Sequence, residues 1–302
     1  MTFLKGFGLA ILSLLLFLSL SLFGVGLTID QTLLNPDFAV SQVDRLDIAS
    51  LAKETLSEQI SQFEVTSPYE TYVTEVMDDT IDDLEPWVRE QIGTAIYTAY
   101  DYFMGRSRGL SLTVSLEPVK DTLKQNLREA ILNSPPPELQ ELPPDAIEQF
   151  LDEAYRQIDE QIPSVQGIEV VEVDQDTSGL SLEQVRQAIG YFHTGYYALI
   201  GFSLLLILGI VLINREVRGS TRSLGATLLS CGIFSLVGAF IARDVIATQL
   251  AQLDIPFYLQ GWIPQLIKDA LTPLEIYSIG LLAVGVALLV VSFVYKPRKT
   301  EF

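Results

Sequence analysis

Four windows of the chain contain no charged side chain and are rich in Leu, Ile, Val and Phe. They are residues 6–29, 187–214, 223–242 and 276–295. Each window is long enough to cross about 30 Å of hydrocarbon at a helical rise of about 1.5 Å per residue. A backbone in lipid has no water to bond, so its amides must find partners within a helix. The pattern therefore predicts a multi-pass α-helical membrane protein with four transmembrane helices.

The first window exceeds the apolar core of a cleaved signal peptide, which spans about 7–15 residues. No small-x-small cleavage pattern follows residues 23–26, and the only charge before the window is Lys5. We interpret residues 6–29 as an uncleaved signal anchor that stays in the membrane as the first span.

Basic residues near the ends of the windows predict the orientation of the chain. If the N-terminus is cytoplasmic, seven basic residues lie on the cytoplasmic side, namely Lys5, Arg215, Arg218, Arg222, Lys296, Arg298 and Lys299. The short loop on the other side holds Arg243 and Lys268. Since short cytoplasmic loops are enriched in Lys and Arg, both termini are predicted to be cytoplasmic. The protein is then placed in the cell membrane, with the long segment between the first two spans outside the cytoplasm.

These boundaries divide the chain into successive parts. They are a cytoplasmic N-terminus (1–5), the first span (6–29), an acidic extracytoplasmic domain (30–190), the second span (191–213), a basic cytoplasmic loop (214–222), the third span (223–242), an apolar extracytoplasmic loop (243–273), the fourth span (274–295) and a cytoplasmic tail (296–302). The apolar loop contains Pro256, Pro264 and Pro273. Its composition predicts short helices, separated at the prolines, that lie in the headgroup layer or under the acidic domain.

Negative charge is concentrated between the first two windows. Residues 30–186 hold 32 Asp or Glu and 10 Lys or Arg, a net charge of −22 in a chain whose total is −19. Such a field repels nucleic acid and attracts cations or basic partners, although acidic residues also keep an exposed domain soluble. The only cysteine, Cys231, falls in the third span, and the chain has no Asn-x-Ser/Thr sequon. A domain of this kind without disulfides favours a prokaryotic surface.

Apolar residues at helical spacing dominate the acidic domain. Pro86, Pro118 and Pro144 each stand where a helix is predicted to begin, with a separate helix before Pro86, and Gly105 stands where one ends. Residues 38–60 predict one broken helix or two short ones.

Two short stretches have strand patterns instead. Residues 110–116 alternate polar and apolar side chains, and residues 168–173 are rich in β-branched ones. Since a lone strand leaves its backbone groups unpaired, we expect the two to pair with each other. The extracytoplasmic domain is therefore predicted to be mainly α-helical with a small two-stranded β element.

Residues 105–109 match the Gly-x-Ser-x-Gly letters of a nucleophile elbow. An elbow needs a strand before it and a helix after it, whereas the predicted order here is the reverse. The general base is also missing, because the only histidine, His193, belongs to the second window. We interpret the stretch as a basic helix-to-strand turn. With no catalytic constellation elsewhere, we expect a protein that is not an enzyme and needs no cofactor.

Two groups of carboxylates are candidate cation ligands. They are the quartet Asp78, Asp79, Asp82 and Asp83, within two helical turns, and the loop pair Asp174 and Asp176. Hard cations prefer such oxygen ligands. The alternative for the quartet is a solvated helix face. The alternative for the pair is a turn before a helix capped by Ser181, because Val185 occupies the position of a calcium loop's last acidic ligand.

Aromatic side chains supply the candidate interface residues. They are Tyr97, Tyr100 and Tyr102 in the acidic domain and Phe257, Tyr258 and Trp262 in the apolar loop. The alternative for the tyrosines is a role in the core of their own helix. His193 follows Tyr191 and Phe192, and we interpret it as part of an aromatic belt, with a proton sensor as the alternative.

Between their flanking charges, the four predicted spans hold no Asp, Glu, Lys or Arg, whereas transporters usually keep an ionisable residue at depth. We therefore expect a cell-envelope protein whose acidic domain binds a partner or senses a condition, with the helix bundle as anchor or signal relay. The alternative is a subunit of a transport or channel complex. The expected partners are the lipid bilayer, a protein in the membrane or envelope and, for an oligomer, a second copy of the chain. Nucleic acid is not expected.

Overall fold

A computed structural model provides the structure of the 302-residue chain. It describes residues 2–60, 69–136, 139–140, 142–170, 182–214, 216–250, 259 and 261–294. In chain order the elements are α1 (Thr2–Gln31), α2 (Pro36–Val43), α3 (Ile48–Ile60), α4 (Tyr69–Phe103), β1 (Leu110–Ser115), α5 (Glu117–Asn133), α6 (Pro144–Gln161), β2 (Val165–Val170), α7 (Leu182–Asn214), α8 (Val217–Leu250) and α9 (Trp262–Val294). The chain forms two units, a membrane unit of residues 1–38 and 183–302 and an acidic unit of residues 39–182.

The membrane unit contains α1, α7, α8 and α9. Each of these helices is long and apolar enough to cross a membrane, so the four long apolar helices predicted from the charge-free windows are present. The helices have 30 to 34 residues. A hydrocarbon layer of about 30 Å needs only about 20 residues, so each helix has turns to spare beyond it.

The helices α8 and α9 extend into the segment that was predicted to be an apolar loop. Residues 243–250 continue α8, and residues 262–273 form the start of α9. The predicted breaks at Pro264 and Pro273 are therefore wrong. Pro264 lies in the first turn of α9, where its missing N–H has no helical partner to lose. Pro273 lies inside the helix, as prolines do in membrane helices whose neighbours offset the lost bond.

The backbones of α8 and α9 are in contact, and glycines make this contact possible. A Cβ atom on Gly285 would lie 2.8 Å from the Leu229 amide nitrogen, and one on Gly225 would lie 2.9 Å from the Gly285 carbonyl oxygen. A Cβ atom on Gly232 would lie 2.9 Å from the Ser278 carbonyl oxygen. Small residues at such crossings let membrane helices approach closely, so α8 and α9 form a tight pair.

The helix α1 packs against the rest of the bundle through large apolar side chains. The buried cluster contains Leu16, Leu20, Leu206, Ile210, Leu224 and Cys231. Two aromatic rings lie on glycines of α1: a Cβ atom on Gly24 would meet the Tyr277 ring at 2.7 Å, and one on Gly26 would meet the Tyr196 ring at 3.1 Å. Glycine thus lets rings from α9 and α7 lie against the α1 backbone.

In the acidic unit, the two short helices α2 and α3 agree with one of the two alternatives predicted for residues 38–60. Arg89 of α4 fastens the turn between them. Its guanidinium donates hydrogen bonds to the carbonyl oxygens of Val43, at 3.0 Å, and Leu46, at 2.6 Å. Since the last carbonyls of a helix lack partners within it, this arginine caps α2 from a neighbouring helix.

The helix α4 runs through Pro86 for 35 residues without ending, so the prediction that a helix begins at this proline is wrong. A proline inside a helix removes one backbone hydrogen bond and costs about 3 kcal/mol. Contacts on both sides offset that cost. Asn126 of α5 donates hydrogen bonds to Thr80 and Asp83 before the proline, and Arg89 makes its carbonyl contacts after it.

The rest of the acidic unit is a helical hairpin and a pair of strands. Prolines begin α5 and α6 as predicted, with Pro118 and Pro144 in the first turns. The strand β1 pairs antiparallel with β2, from Leu110 opposite Val170 to Ser115 opposite Val165. The core consists of buried Ile131, Leu139 and Leu151, with Tyr72, Leu127, Ile147 and Tyr155 packed around them.

Candidate functional site

Lys120 lies at the junction of α5, α6 and β2, with only 6% of its side chain exposed. Its ammonium group is 2.7 Å from a Glu117 carboxylate oxygen, 2.8 Å from the Ser164 hydroxyl and 3.7 Å from an Asp159 carboxylate oxygen. Lys124 adds a second ammonium group 2.7 Å from the same Asp159 oxygen. These five residues, the Lys120 cluster, tie the start of α5 to the end of α6 and to the residue before β2.

The contact between Lys120 and Ser164 has the form of a Ser–Lys nucleophile pair. In such a pair, a neutral lysine takes the proton of the serine hydroxyl. Here the hydrogen bond with Glu117, supported by the negative charge of Asp159, raises the pKa of Lys120 above its usual value. The ammonium group therefore stays protonated at neutral pH and donates to Ser164 instead of accepting from it. In this arrangement the pair connects elements of the fold and does not activate the serine.

The predicted acidic quartet is divided between different partners. Asp82 pairs with Lys53 at 2.7 Å, and Asp83 accepts a hydrogen bond from Asn126 at 3.0 Å. The hydrogen bond with Asp82, together with the charges of Asp78 and Asp79, raises the pKa of Lys53. Within the described ranges, no three or more His, Cys, Asp or Glu side chains group as metal ligands. The quartet thus pairs with Lys53 of α3 through Asp82 and with Asn126 of α5 through Asp83. The loop pair, Asp174 and Asp176, lies outside the described residues.

The three candidate tyrosines of α4 differ in exposure. Tyr97 is exposed, whereas Tyr100 and Tyr102 are half-buried. Burial raises the pKa of Tyr100, and the Tyr102 ring lies edge-on to Phe103 at 5.6 Å. Tyr97 is therefore the tyrosine of this group that a partner can reach most easily.

The candidate residues of the apolar loop are only partly described. Trp262 begins α9 and is half-buried, while Phe257 and Tyr258 lie outside the described residues. Of the seven basic residues that predict the orientation, Lys5 is exposed in α1, and Arg218 and Arg222 occupy the first turns of α8 with exposed side chains. The others, Arg215, Lys296, Arg298 and Lys299, lie outside the described residues.

The Gly-x-Ser-x-Gly stretch is the predicted turn between a helix and a strand. It begins at Gly105, whose φ of 74° ends α4, and it leads directly into β1. The Ser107 hydroxyl donates a hydrogen bond to the Gly109 carbonyl oxygen at 2.6 Å. Arg106 pairs with Asp101 at 3.3 Å. A helix precedes this serine and a strand follows it, which is the reverse of the order that a nucleophile elbow requires.

Hydrogen bonds between uncharged groups join α1 to the other helices of the membrane unit. They link Ser13 to Ser223, Ser19 to Ser203, Ser21 to Cys231 and the Tyr277 hydroxyl to the Leu20 carbonyl oxygen, at 3.1, 2.9, 3.5 and 2.9 Å respectively. Hydrogen bonds between membrane helices contribute about 0.6 kcal/mol each on average. Together they fix how α1 packs against α7, α8 and α9.

One pair of ionisable side chains joins α1 to α7. The Nε2 atom of His193 is 3.5 Å from a carboxylate oxygen of Asp30, in the last turn of α1. The Nδ1 atom of His193 is 3.1 Å from the Ile189 carbonyl oxygen. Aromatic rings surround the pair: Phe192 stands edge-on to His193, and the Tyr196 ring stacks on those of Phe23 and Phe192. The ring cluster fits the belt interpretation, and the contact with Asp30 adds a charge to it.

An open apolar groove of about 630 Å³ lies on the outer face of α7. Gly195, Ala198, Leu199, Gly201, Phe202 and Leu205 line it. A Cβ atom on Gly195 or Gly201 would meet no atom within 4 Å. These glycines therefore do not serve packing between the described helices of this chain, unlike the glycines of α8 and α9.

Comparison with known proteins provides no evidence about the function of this chain. No protein-family model, no curated protein and no solved structure matches this chain.

Two features were missed in the sequence. Glu117 and Lys120 have a recognisable i, i+3 spacing, but Ser164 and Asp159 follow about one helical hairpin later, and no local pattern connects them. In the sequence, Asp30 follows the first charge-free window directly and belongs to no motif. Its partner His193 lies beyond the whole acidic unit in the chain, so only the fold brings the two together.

Proposed function

We propose that this chain is a non-enzymatic protein of a prokaryotic cell membrane. Its acidic unit lies outside the cytoplasm and binds a partner or senses a condition. Its membrane unit anchors the acidic unit and relays the signal to a second membrane protein. The observation that carries the proposal is the division of chemistry between the units: networks of charged side chains tie one together, and helices that pack through mainly uncharged groups form the other.

The interior of the membrane unit favours an anchor over a transporter. The glycine contacts of Gly225 and Gly285 close the space between α8 and α9, and the hydrogen bonds from α1 to the other helices involve uncharged groups. Coupled transport usually requires an ionisable residue in the membrane interior. A bundle packed in this way supports a fixed attachment.

The charge of the acidic unit favours a basic partner. Residues 39–182 carry 29 Asp or Glu and 9 Lys or Arg. A field of this sign steers and retains cationic groups, and salt screens it over about 10 Å at 0.1 M. We therefore infer that the partner presents basic side chains and that its binding weakens as the salt concentration rises.

The orientation is tested by labelling engineered thiols in intact cells. The buried Cys231 is first replaced by Ala to remove the native thiol. Ser134→Cys, after α5, and Glu216→Cys, between α7 and α8, then place thiols at exposed positions. A membrane-impermeant maleimide is expected to label Ser134→Cys alone in intact cells and both variants in permeabilised cells. Labelling of Glu216→Cys alone in intact cells contradicts the proposed orientation.

The anchor hypothesis is tested with purified protein in liposomes. We expect ion and solute flux equal to that of protein-free liposomes. Flux that depends on the protein and disappears after heat denaturation rules out the anchor hypothesis.

The partner hypothesis is tested by photo-crosslinking in intact cells. A photoreactive phenylalanine replaces exposed Tyr97 in the acidic unit or, as a control, exposed Phe240 in the charge-free part of α8. A defined crosslinked band from position 97 is expected to fade between 50 and 500 mM salt, whereas any band from position 240 stays constant. A band from position 97 that is insensitive to salt argues against a partner held by charge.

The second candidate, a subunit of a transport or channel complex, is favoured by the groove on α7. Its open glycines leave room for another membrane helix, so a pathway could lie between chains. In the cysteine-free protein, Gly201→Cys places a thiol in the groove, and Val211→Cys places one on another exposed face of α7. Disulfide-linked dimers from Gly201→Cys and not from Val211→Cys support this candidate. Equal crosslinking of both variants indicates random collision and removes its support.

A further inference from the structure

We propose that Asp30 and His193 form a protonation-dependent tie between the last turn of α1 and α7. The two side chains meet across the helix pair at 3.5 Å. They are 35% and 30% exposed respectively, so water reaches both and can exchange protons with the imidazole. The tie closes when the imidazole is protonated and weakens when it is neutral.

The orientation of the His193 ring supplies the reason. The carbonyl oxygen of Ile189 can only accept a hydrogen bond, so the Nδ1 atom facing it at 3.1 Å must carry a proton. A neutral ring with this proton has a lone pair on Nε2. That lone pair then faces the carboxylate of Asp30, and two acceptors repel each other. The imidazolium form, with protons on both nitrogens, satisfies Ile189 and Asp30 together.

The other titratable groups around the pair do not compete in the relevant pH range. On α7 itself the neighbours are Tyr196 and Tyr197, and Tyr277 of α9 approaches Tyr196. Phenols titrate near pH 10. In the described part of the chain, no further ion pair involves Asp30 or His193. His193 is the chain's only histidine, so its replacement removes every imidazole from the protein.

The position of the tie gives it a consequence for the acidic unit. The chain leaves the membrane unit after residue 38 and returns to it at residue 183. Asp30 shortly precedes the exit, and His193 shortly follows the return. The tie therefore joins the two helices that precede and follow the acidic unit along the chain. The inference that it reports the pH outside the cytoplasm rests on the proposed function, whereas the tie itself does not.

The tie is tested by distance measurements on the whole protein in lipid nanodiscs. Spin labels are attached to Gln31→Cys and Ala188→Cys in the Cys231→Ala background, because both positions are exposed in the membrane unit. Double electron–electron resonance is recorded at pH 5.5 and pH 8.0. The population at the short distance is expected to fall by about two- to five-fold at the higher pH, which is the factor that a partly exposed ion pair supports.

Two variants decide whether this pair is responsible. Asp30→Asn removes the anion, and His193→Gln removes the titrating group. Both are expected to give the pH 8.0 distance distribution at either pH, while circular dichroism shows unchanged helix content. A wild-type distribution that does not change with pH overturns the tie, and so does a pH response that persists in Asp30→Asn. Failure of the thiol-labelling test would instead leave the tie intact and assign it to the cytoplasmic side.

Discussion

In the membrane unit, Gly225 and Gly285 bring α8 and α9 into backbone contact, whereas in the acidic unit Ile131 and Leu151 fill a core between helices. The difference follows from the solvent. Lipid tails are as apolar as leucine, so membrane helices gain stability from close packing and hydrogen bonds. Water drives apolar side chains together, and the acidic unit uses that force. The same substitution therefore has different consequences in the two units.

Charge is also used differently in the two units. The acidic unit buries Lys120 among carboxylates and lets Arg89 cap a neighbouring helix. Among the described residues of the membrane unit, the interhelical bonds are mainly between neutral groups, and the pair of Asp30 and His193 is an exception. The stability of the acidic unit should therefore depend more on pH than the stability of the membrane unit does. The two tryptophans, Trp87 and Trp262, fall one in each unit, so single-tryptophan variants can follow the units separately.

The largest expected effect is the loss of a core side chain in the acidic unit. Leu151 is completely buried, with 0% exposure. Leu151→Ala should lower the free energy of unfolding of this unit by about 3 kcal/mol, because it removes buried apolar surface and leaves a cavity. Urea denaturation followed by Trp87 fluorescence measures the change. Leu132→Ala, at a position that is 55% exposed, is the control and should change it by less than about 0.5 kcal/mol.

In the membrane unit, the largest loss of stability is expected when a methyl group is added to a glycine at the contact between α8 and α9. In Gly285→Ala the new methyl group would lie 2.8 Å from the Leu229 amide nitrogen, and backbone cannot move aside as a side chain can. We expect a loss of about 2 kcal/mol from overpacking, measured as a lower thermal midpoint in detergent. The matched control on the same helix is Gly280→Ala, whose methyl group meets nothing within 4 Å. Equal effects of the two variants would contradict the role of close packing.

The same comparison explains which parts of the fold were predictable from sequence. The four apolar windows correctly predicted membrane helices, because lipid admits few other structures. They did not predict where α8 ends, since Arg243 is incompatible with the hydrocarbon but not with a helix. A charge-free window therefore measures the thickness of the membrane and not the length of the helix. Pro86 was misinterpreted for a similar reason, because distant contacts with Asn126 and Arg89 outweigh a local preference.

The candidate sites were less predictable than the helices. The close spacing of carboxylates in the sequence suggested a cation site that includes Asp82 and Asp83. In the structure, Lys53 of α3 pairs with Asp82, and Asn126 of α5 donates a hydrogen bond to Asp83. The Lys120 cluster and the tie of Asp30 to His193 require side chains from separate elements. Periodicity reports which face of a helix is apolar. It carries no information about which polar groups meet across the fold.

Low pH should destabilise the acidic unit more than the membrane unit. The hydrogen bonds with Lys120 and Ser164 lower the pKa of Glu117 from its ordinary value of 4.5, and those with Lys124 lower the pKa of Asp159 from 3.8. A carboxyl group with a lowered pKa contributes stability that is fully present above its unfolded value. That contribution is lost as the pH falls through the lowered value. The urea midpoint reported by Trp87 should therefore decrease below about pH 4.5, and Trp262 should report a smaller decrease.

Lys120→Met identifies the source of this acid sensitivity. Without the ammonium group, Glu117 loses the main cause of its lowered pKa, and Asp159 loses part of its own. The variant should be less stable than the wild type at pH 7, and its urea midpoint should depend less steeply on pH between 3 and 5. A slope as steep as that of the wild type would place the acid sensitivity elsewhere in the unit.

The smallest expected effect comes from charges that resemble the Lys120 cluster in type but not in burial. Arg156 contacts Glu153 and Glu160 on the surface of α6, and all three side chains are more than half exposed. Water and salt screen such pairs, and ordering the long side chains costs entropy. Arg156→Ala should therefore leave the urea midpoint of the acidic unit within the error of the measurement. If it lowered the midpoint as much as Lys120→Met does, burial would not be what distinguishes the two networks, and the role assigned to the Lys120 cluster would have to be abandoned.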